Sequence, residues 1–317
     1  MPRHFYHLFD QPISTDILLP ELEATSSVAD ALVVQRADFG AEQRPSVWMR
    51  QWNEGFVSVA RTAEGYWVCY ADMVDFLISP DRQQVKYHPA AGLPDASLRH
   101  ILLDNLLPMV LGDKNGLIIH ASAVVLPGGQ AVMFCGNSGA GKSTLASYCY
   151  TQGAQLLTDD CLLLRQREGR LYCVPNYHGV RLFADSDRYV LKNAYSDTDV
   201  SHYTSKRRQA ISRPTGVSSA SESALAAVFM IDGGNELATE VEAKRVSGLD
   251  SVEGMLSQVF SLDPTDRLIA SNRFAHIGAL GQVDAGFYRL HYPRDYHRLE
   301  EAYQAVLATV SKIHSPK

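Results

Sequence analysis

The chain has 317 residues, 46% of them hydrophobic and 20% charged, with a formal net charge of −6. That length suits one large domain or two ordinary ones, and the composition is that of a globular protein able to bury a sizeable core. The mildly acidic balance gives no electrostatic case for nucleic acid or an anionic membrane as partner.

The N-terminus, Met1-Pro2-Arg3-His4-Phe5, lacks the long apolar core of a signal peptide, and no segment is an uninterrupted apolar run of membrane-spanning length. The five cysteines, Cys69, Cys135, Cys149, Cys161 and Cys173, are odd in number and show no metal-ligand spacing. They read as small buried hydrophobes in a reducing compartment, so the expected location is cytoplasmic.

Residues 1–92 read as a small mixed α+β N-terminal domain. Within it, Phe56–Ala60 and Tyr66–Tyr70 are β-rich runs around an Ala63-Glu64-Gly65 turn, which predicts a hairpin. His88 to Pro94 is rich in turn formers and marks a boundary. Residues 95–317 then form the second unit. Asp95 is a good N-cap for a helix that presents Leu98, Ile101, Leu102, Asn105 and Leu106 on one face, with Leu103 beside them. Pro108 is expected to kink or end it.

Gly116 to Val125 reads as one strand containing His120. Pro127-Gly128-Gly129 turns the chain, and Ala131 to Cys135 is a second strand that feeds into a glycine-rich loop. A helix starts at Ser143. Further strands are expected at Gln155–Thr158, Cys161–Arg165, Leu171–Val174 and Leu225–Ile231, with a polar, basic, Ser-rich loop over Ser201–Ser221. Residues 296 to 313 predict an amphipathic closing helix with Leu299, Ala302, Tyr303, Val306 and Val310 on one side.

Gly136-Asn137-Ser138-Gly139-Ala140-Gly141-Lys142-Ser143 matches the P-loop pattern G-x-x-x-x-G-K-[ST], and Thr144 follows it. Glycines let the backbone curl so that successive N–H groups face phosphate oxygens, and the following helix adds its positive N-terminal end. Lys142 reaches the terminal phosphates and the Ser143 hydroxyl ligates Mg²⁺. These residues therefore predict a site for ATP with Mg²⁺.

Asp159-Asp160 ends the strand Gln155–Thr158. Adjacent carboxylates at a strand end near the loop suit metal binding and proton abstraction from an acceptor hydroxyl. An exposed acidic turn is the competing reading. His120 is a candidate site residue, although a lone histidine is more often a satisfied core or edge residue. Arg181 and the run Lys206-Arg207-Arg208 are candidates for neutralising phosphate charge or contacting the acceptor, against a solvated surface loop.

A Walker strand that forms a hairpin with the strand before it, instead of opening a βαβ unit, is unlike the common doubly wound type. Together, His120-Ala121-Ser122-Ala123, this hairpin, Gly136 to Ser143 and Asp159-Asp160 resemble the catalytic domain of the HPr kinase/phosphorylase family. That family is related in fold to phosphoenolpyruvate carboxykinases. The resemblance covers about residues 97 to 190 and is weaker onward. Its style is similar to the divergent HPr-kinase-related proteins of bacterial biosynthetic clusters, including lasso-peptide tailoring kinases. Leu98 to Pro108, Tyr177 to Leu182 and Ser205 to Arg208 support it.

The resemblance implies an α/β, phosphoenolpyruvate carboxykinase-like or HPr kinase-like P-loop domain with a mixed sheet. It implies Asp159 as the base toward a serine hydroxyl, with Asp160 and His120 completing the site. Where the family places a metal-holding Glu, the nearest counterpart is Asn176, which offers a carbonyl oxygen but no charge. Ser143, Asp160 and Asn176 are thus the expected metal ligands. The leading expectation is a kinase acting on a serine of a peptide or protein. Free serine or a sugar as acceptor, and a nucleotide-dependent regulator or scaffold with little turnover, are the alternatives. A homo-oligomer is left open.

Overall fold

The structure is a computed structural model that describes residues 3–115, 117–175, 177, 180–192, 197–199, 201–204, 207–209, 222–232, 240–246, 249–280 and 285–314. It is a mixed α/β fold with two large mixed sheets and few helices.

The first sheet contains β1 (His4–Leu8), β2 (Gln11–Thr15), β3 (Leu32–Arg36), β4 (Arg50–Trp52), β5 (Val57–Thr62), β6 (Gly65–Tyr70), β7 (Val74–Ile78) and β8 (Gln84–Pro89). Their order is β1-β2-β3-β8-β7-β6-β5-β4. The expected hairpin is present as β5 and β6, antiparallel from Val57↔Tyr70 to Thr62↔Gly65. An α+β unit was expected here, but the described residues before Pro94 contain strands and one 3-10 turn, Ala41–Gln43. β8 alternates exposed and buried residues over its first four positions, as a half-covered strand does, whereas all six residues of β6 are buried.

The sheet packs on a continuous helical rod made of α1 (Asp95–Ile101), a π-helical turn (Leu102–Leu106) and α2 (Leu107–Asn115). Asp95 is the first helical residue and not the cap. The cap position is Pro94, in extended conformation and without a side-chain cap bond. Pro108 neither ends nor breaks the rod. A proline has no N–H to give and crowds the carbonyl four residues back, and the wider π turn just before it opens that spacing. The same turn alters which residues face inward. Leu98, Ile101, Leu102, Leu103 and Leu106 are buried as the stripe predicts, but Asp104 is buried as well and Asn105 is not.

The apolar run after Gly116 divides into β9 (Leu117–Ile119) and β10 (Ala121–Val125), with His120 at the break. The second sheet adds β11 (Ala131–Cys135), β12 (Gln155–Thr158), β13 (Leu162–Arg167) and β14 (Arg170–Val174). The chain then forms β15 (Val180–Leu182), β16 (Asp197–Asp199) and β17 (Arg207–Gln209), a separate three-stranded sheet ordered β15-β17-β16. Arg207 and Arg208 thus lie on a strand inside the stretch expected to be loop, and Lys206 lies outside the described residues. β18 (Ser223–Ile231), β19 (Glu242–Arg245) and β20 (Gly286–His291) complete the second sheet, whose path is β12-β10-β11-β18-β14-β13-β9, with β20 beside β18 and β19 beside β20.

β10 and β11 form the expected antiparallel hairpin, Ala121↔Cys135 to Val125↔Ala131, while β11, β18 and β20 run parallel. Strands covered on both faces need apolar side chains at every position, and β11 and the Leu225–Ile231 part of β18 have them. Val132, Phe134, Ala227, Phe229 and Ile231 face α3 (Lys142–Thr151) and the closing helix. Met133, Cys135, Val228 and Met230 face the opposite core. A short helix α4 (Ala184–Ser186) leads into a π turn. α5 (Leu249–Leu256) and α6 (Arg267–Leu280) follow β19, and α7 (Leu299–His314) closes the chain after a 3-10 turn at Tyr296–Arg298.

All five cysteines are buried and unpaired by disulfide. Burial pushes the thiols of Cys135, Cys149 and Cys173 up to about 12. No helix among the described residues is long and apolar enough to cross a membrane.

Candidate active site

The loop from Gly136 to Gly141 leaves β11 and enters α3. Gly136, Gly139 and Gly141 all have positive φ, at 146°, 80° and 102°. Two of them also have no room for a side chain: a Cβ on Gly136 would lie 2.4 Å from the Ile231 carbonyl oxygen, and one on Gly141 2.5 Å from the Tyr292 hydroxyl. The curl that glycine permits is therefore required by neighbouring strands as well as by the loop itself. Gly141 occupies the N-cap of α3 and provides no side-chain cap. The first N–H groups of that helix are thus not claimed by a capping side chain, which is the arrangement that accepts an anion.

Lys142 is 4% exposed, and its ammonium donates to the carbonyls of Gly136 at 2.9 Å and Asn137 at 3.1 Å. The charge thus arches over the loop that it would share with a phosphate. Ser138 to Thr144 line one side of a pocket of about 250 Å³ that also takes in Asp160, Arg181, Phe183, Tyr292 and Tyr296. Thr144 Oγ1 bonds Ser186 Oγ at 3.3 Å on the pocket wall.

The two adjacent aspartates have different environments. Asp159 is 2% exposed, and both of its oxygens hold the fold. Oδ1 accepts from Ser122 at 2.5 Å and Oδ2 from the Arg181 backbone N–H at 3.0 Å. Asp160 instead lines the pocket. It has φ 68° and sits at the centre of a tight turn closed by Cys161 N–H to the Asp159 carbonyl at 3.0 Å. A non-glycine residue held at positive φ costs free energy that the surrounding bonds must offset. Here it aims successive carboxylates in different directions. Asp159, expected as the base, is held by Ser122 and the Arg181 N–H, and the carboxylate that lines the pocket belongs to Asp160.

Arg181, on β15, joins these groups. Its guanidinium donates to Asp160 Oδ2 at 2.9 Å, to the Asp104 carboxylate at 2.7 Å and to the Tyr177 hydroxyl. Burial opposes its charge, but Asp104, Asp160 and Asp159 outweigh that and raise its pKa further above the usual arginine range. His100 Nδ1 extends the network to Asp104 at 2.8 Å. His120 lies at its other end, with Nε2 3.6 Å from Asp160 Oδ1 and its backbone N–H donating to the Gln258 carbonyl at 2.8 Å.

Of the expected residues, the structure brings together Ser138 to Thr144, Asp160 and Arg181 in one pocket, with His120 beside Asp160. Arg208 is the cross-strand partner of Arg181, so part of the basic run lies on the strand next to the site. Asn176 lies outside the described residues. Among the described residues, no group of three or more His, Cys, Asp or Glu is placed to hold a metal ion.

Phe183 and Tyr296 line the pocket outside every motif, while Asp104, Ser122 and Tyr177 support it from inside the stretches Leu98–Pro108, His120–Ala123 and Tyr177–Leu182 without being marked individually. A local signal for the burial of Asp104 is Pro108 four residues on, the spacing at which a helix must deform.

No protein-family model matches the chain, and no curated protein matches it. Among solved structures it is similar to the HPr(Ser) kinase/phosphatase from Coxiella burnetii, with 12% sequence identity and a TM-score of 0.32, over 62% of this chain and 99% of that chain. That is a distant structural neighbour, and the reading of the site rests on its own geometry.

Proposed function

We propose that the chain is a phosphotransferase that binds the phosphates of ATP on Gly136–Thr144 and passes the terminal phosphoryl group to a hydroxyl. The observation that carries this reading is the shared pocket. An uncapped helix N-terminus, a loop of positive-φ glycines and Lys142 open on the same space as the Asp160 carboxylate and Arg181. Phosphoryl transfer is mostly positioning and charge neutralisation, and these groups supply both.

The loop N–H groups and Lys142 hold the phosphate chain. The Ser143 hydroxyl would contribute a ligand to Mg²⁺, which, when bound, would neutralise charge on the phosphates. Asp160 takes the proton of the acceptor hydroxyl as its oxygen bonds to the terminal phosphorus and the bond to the bridging oxygen breaks. Arg181 fixes the orientation of that carboxylate through Oδ2. We infer a serine of a peptide or protein as the acceptor, on the motif resemblance and on the basic strand β17 beside β15.

Asp160→Asn keeps the size of the side chain but cannot take the proton. Transfer from labelled ATP to a panel of serine peptides, free serine and sugars should fall by ~10²-fold or more, since a positioned base contributes ~10²–10⁴-fold. Affinity for MgATP by calorimetry should stay within about threefold of the parent, or ~0.7 kcal/mol. Undiminished transfer by the variant sinks the role of Asp160. A parent that binds MgATP yet labels no acceptor favours a nucleotide-dependent regulator, a reading that the ion pair of Asp160 with Arg181 also suits, because it engages one oxygen of that carboxylate.

A further inference from the structure

Asp104 is a carboxylate set among the buried leucines of the helical rod, Leu102, Leu103 and Leu106. Burying a charge there is costly, and an ion pair that merely offsets the cost is a weak stabiliser, because apolar residues of similar volume often do as well or better. The π turn that carries it is itself a departure from regular helix, and such turns are frequent at functional sites. Stability alone therefore does not account for Asp104.

What it holds is one side of a plane. The Arg181 guanidinium is rigid and flat, so fixing one of its terminal nitrogens constrains where the other points. Nη2 meets Asp104 at 2.7 Å and also donates to the Tyr177 hydroxyl, while Nη1 donates to Asp160 Oδ2 at 2.9 Å. Nε has no hydrogen-bond partner among the described residues, so the guanidinium takes its direction from the terminal nitrogens. Asp104 is fixed in turn. His100, one turn earlier, donates from Nδ1 to Asp104 Oδ2 at 2.8 Å, and its ring lies against Tyr203 with centroids 5.6 Å apart. His100, Asp104, Arg181 and Asp160 thus form one chain of contacts, from a partly exposed edge of the rod to the pocket. Each link limits the rotation of the next.

We propose that His100 is a positioning residue for phosphoryl transfer, acting on Asp160 through Asp104 and Arg181. The proposal deepens the reading above and rests on the role of Asp160 in it. A carboxylate that takes a proton must lie within hydrogen-bond reach of it, so a small turn of Asp160 slows transfer without loosening the hold of the loop on phosphate.

The test is steady-state transfer from MgATP to serine peptides, free serine and sugars, with MgATP affinity by calorimetry, on the parent and four variants. His100→Leu and the smaller His100→Ala remove the donor at a partly exposed position. Their kcat should fall by at least about tenfold, inside the ~10²-fold that a misplacement of about 1 Å can cost. Their affinity for MgATP should stay within about twofold of the parent, the pattern of an interaction that serves the transition state. His100→Asn returns an N–H donor to the place of Nδ1 and should recover kcat to within about threefold of the parent. Asp160→Asn is the reference for loss of the base. Circular dichroism at the assay temperature checks that each variant is folded, since a merely structural role would lower the melting point and leave kcat alone.

The positioning role is overturned if His100→Leu and His100→Ala keep the parent kcat, if His100→Asn recovers none of the loss, or if MgATP affinity falls in step with kcat. Parent-like kcat in both donor-less variants beside a slow Asp160→Asn overturns the positioning role and leaves Asp160 standing as the base. Parent-like transfer by Asp160→Asn, or a parent that labels no acceptor, overturns the reading beneath it and the positioning role with it.

Discussion

Arg181 and Asp104 meet at 2.7 Å with almost no solvent at either end, the guanidinium 2% and the carboxylate 3% exposed. The contact joins β15, at the pocket, to the π turn of the long helical rod under the first sheet. It therefore links the pocket side of the molecule to the core that the N-terminal strands build. Breaking a buried pair leaves an uncompensated charge, which costs more than the pair itself contributes.

Arg181→Met preserves much of the volume and removes the cation from Asp104 and Asp160 together. The expected loss is about 3–5 kcal/mol of stability, as for other broken buried pairs. Urea unfolding followed by far-UV circular dichroism measures it. A midpoint equal to that of the parent would show that the network is not structural.

Lys142→Ala removes the ammonium that arches over the loop carbonyls. MgATP affinity should fall by at least about tenfold, or ~1.4 kcal/mol. Gly136→Ala should be more severe, because its Cβ would meet the Ile231 carbonyl at 2.4 Å with φ at 146°. We expect it to lower both nucleotide binding and thermal stability. Calorimetry and a melting curve on the two variants separate a charge effect from a displaced strand.

Asp159 is expected to be a structural residue. Asp159→Ala strands the Ser122 hydroxyl and the Arg181 N–H, at a cost of about 1–3 kcal/mol for each buried group left without a partner. Asp159→Asn retains an acceptor oxygen and should lose less. Urea midpoints for the pair check this order. If Asp159→Asn is as stable as the parent but transfers no phosphate, Asp159 is the base and the assignment to Asp160 fails.

Asp263 carries a pH dependence. Burial raises its pKa, but bonds from Arg61, Thr265 and Tyr66 more than offset this and hold it below its usual 3.8. A depressed carboxylate contributes stability that is fully present above its unfolded pKa and is lost as the pH falls through the folded one. The parent should therefore lose stability on acidification below about pH 4, the range of an unperturbed aspartate. Asp263→Asn should flatten that part of the curve. Urea midpoints at stepped pH for both proteins test it, and parallel acid limbs would rule Asp263 out as a contributor.

The local rules were sufficient for the elements that local chemistry controls. Glycines at fixed spacing before Lys142 specify a curled loop between a strand and a helix, because glycine takes up positive φ without the cost that a side chain adds. The unbroken apolar runs Ala131–Cys135 and Leu225–Ile231 specify strands covered on both faces, and β11 and β18 alternate their side chains between two cores accordingly. The stripe of Leu98, Ile101, Leu102 and Leu106 specifies a buried helix face. What the sequence could not determine depends on contacts between distant segments. The π turn before Pro108 turns Asp104 inward to a guanidinium 77 residues away. The run after Gly116 divides at His120 because its two halves pair with different strands, β9 with β13 and β10 with β11. Asp159 and Asp160 are neighbours of identical type, and no local property separates them. A turn at positive φ buries one against Ser122 and delivers the other to the pocket, because only the packed strands around that turn fix the direction of each carboxylate.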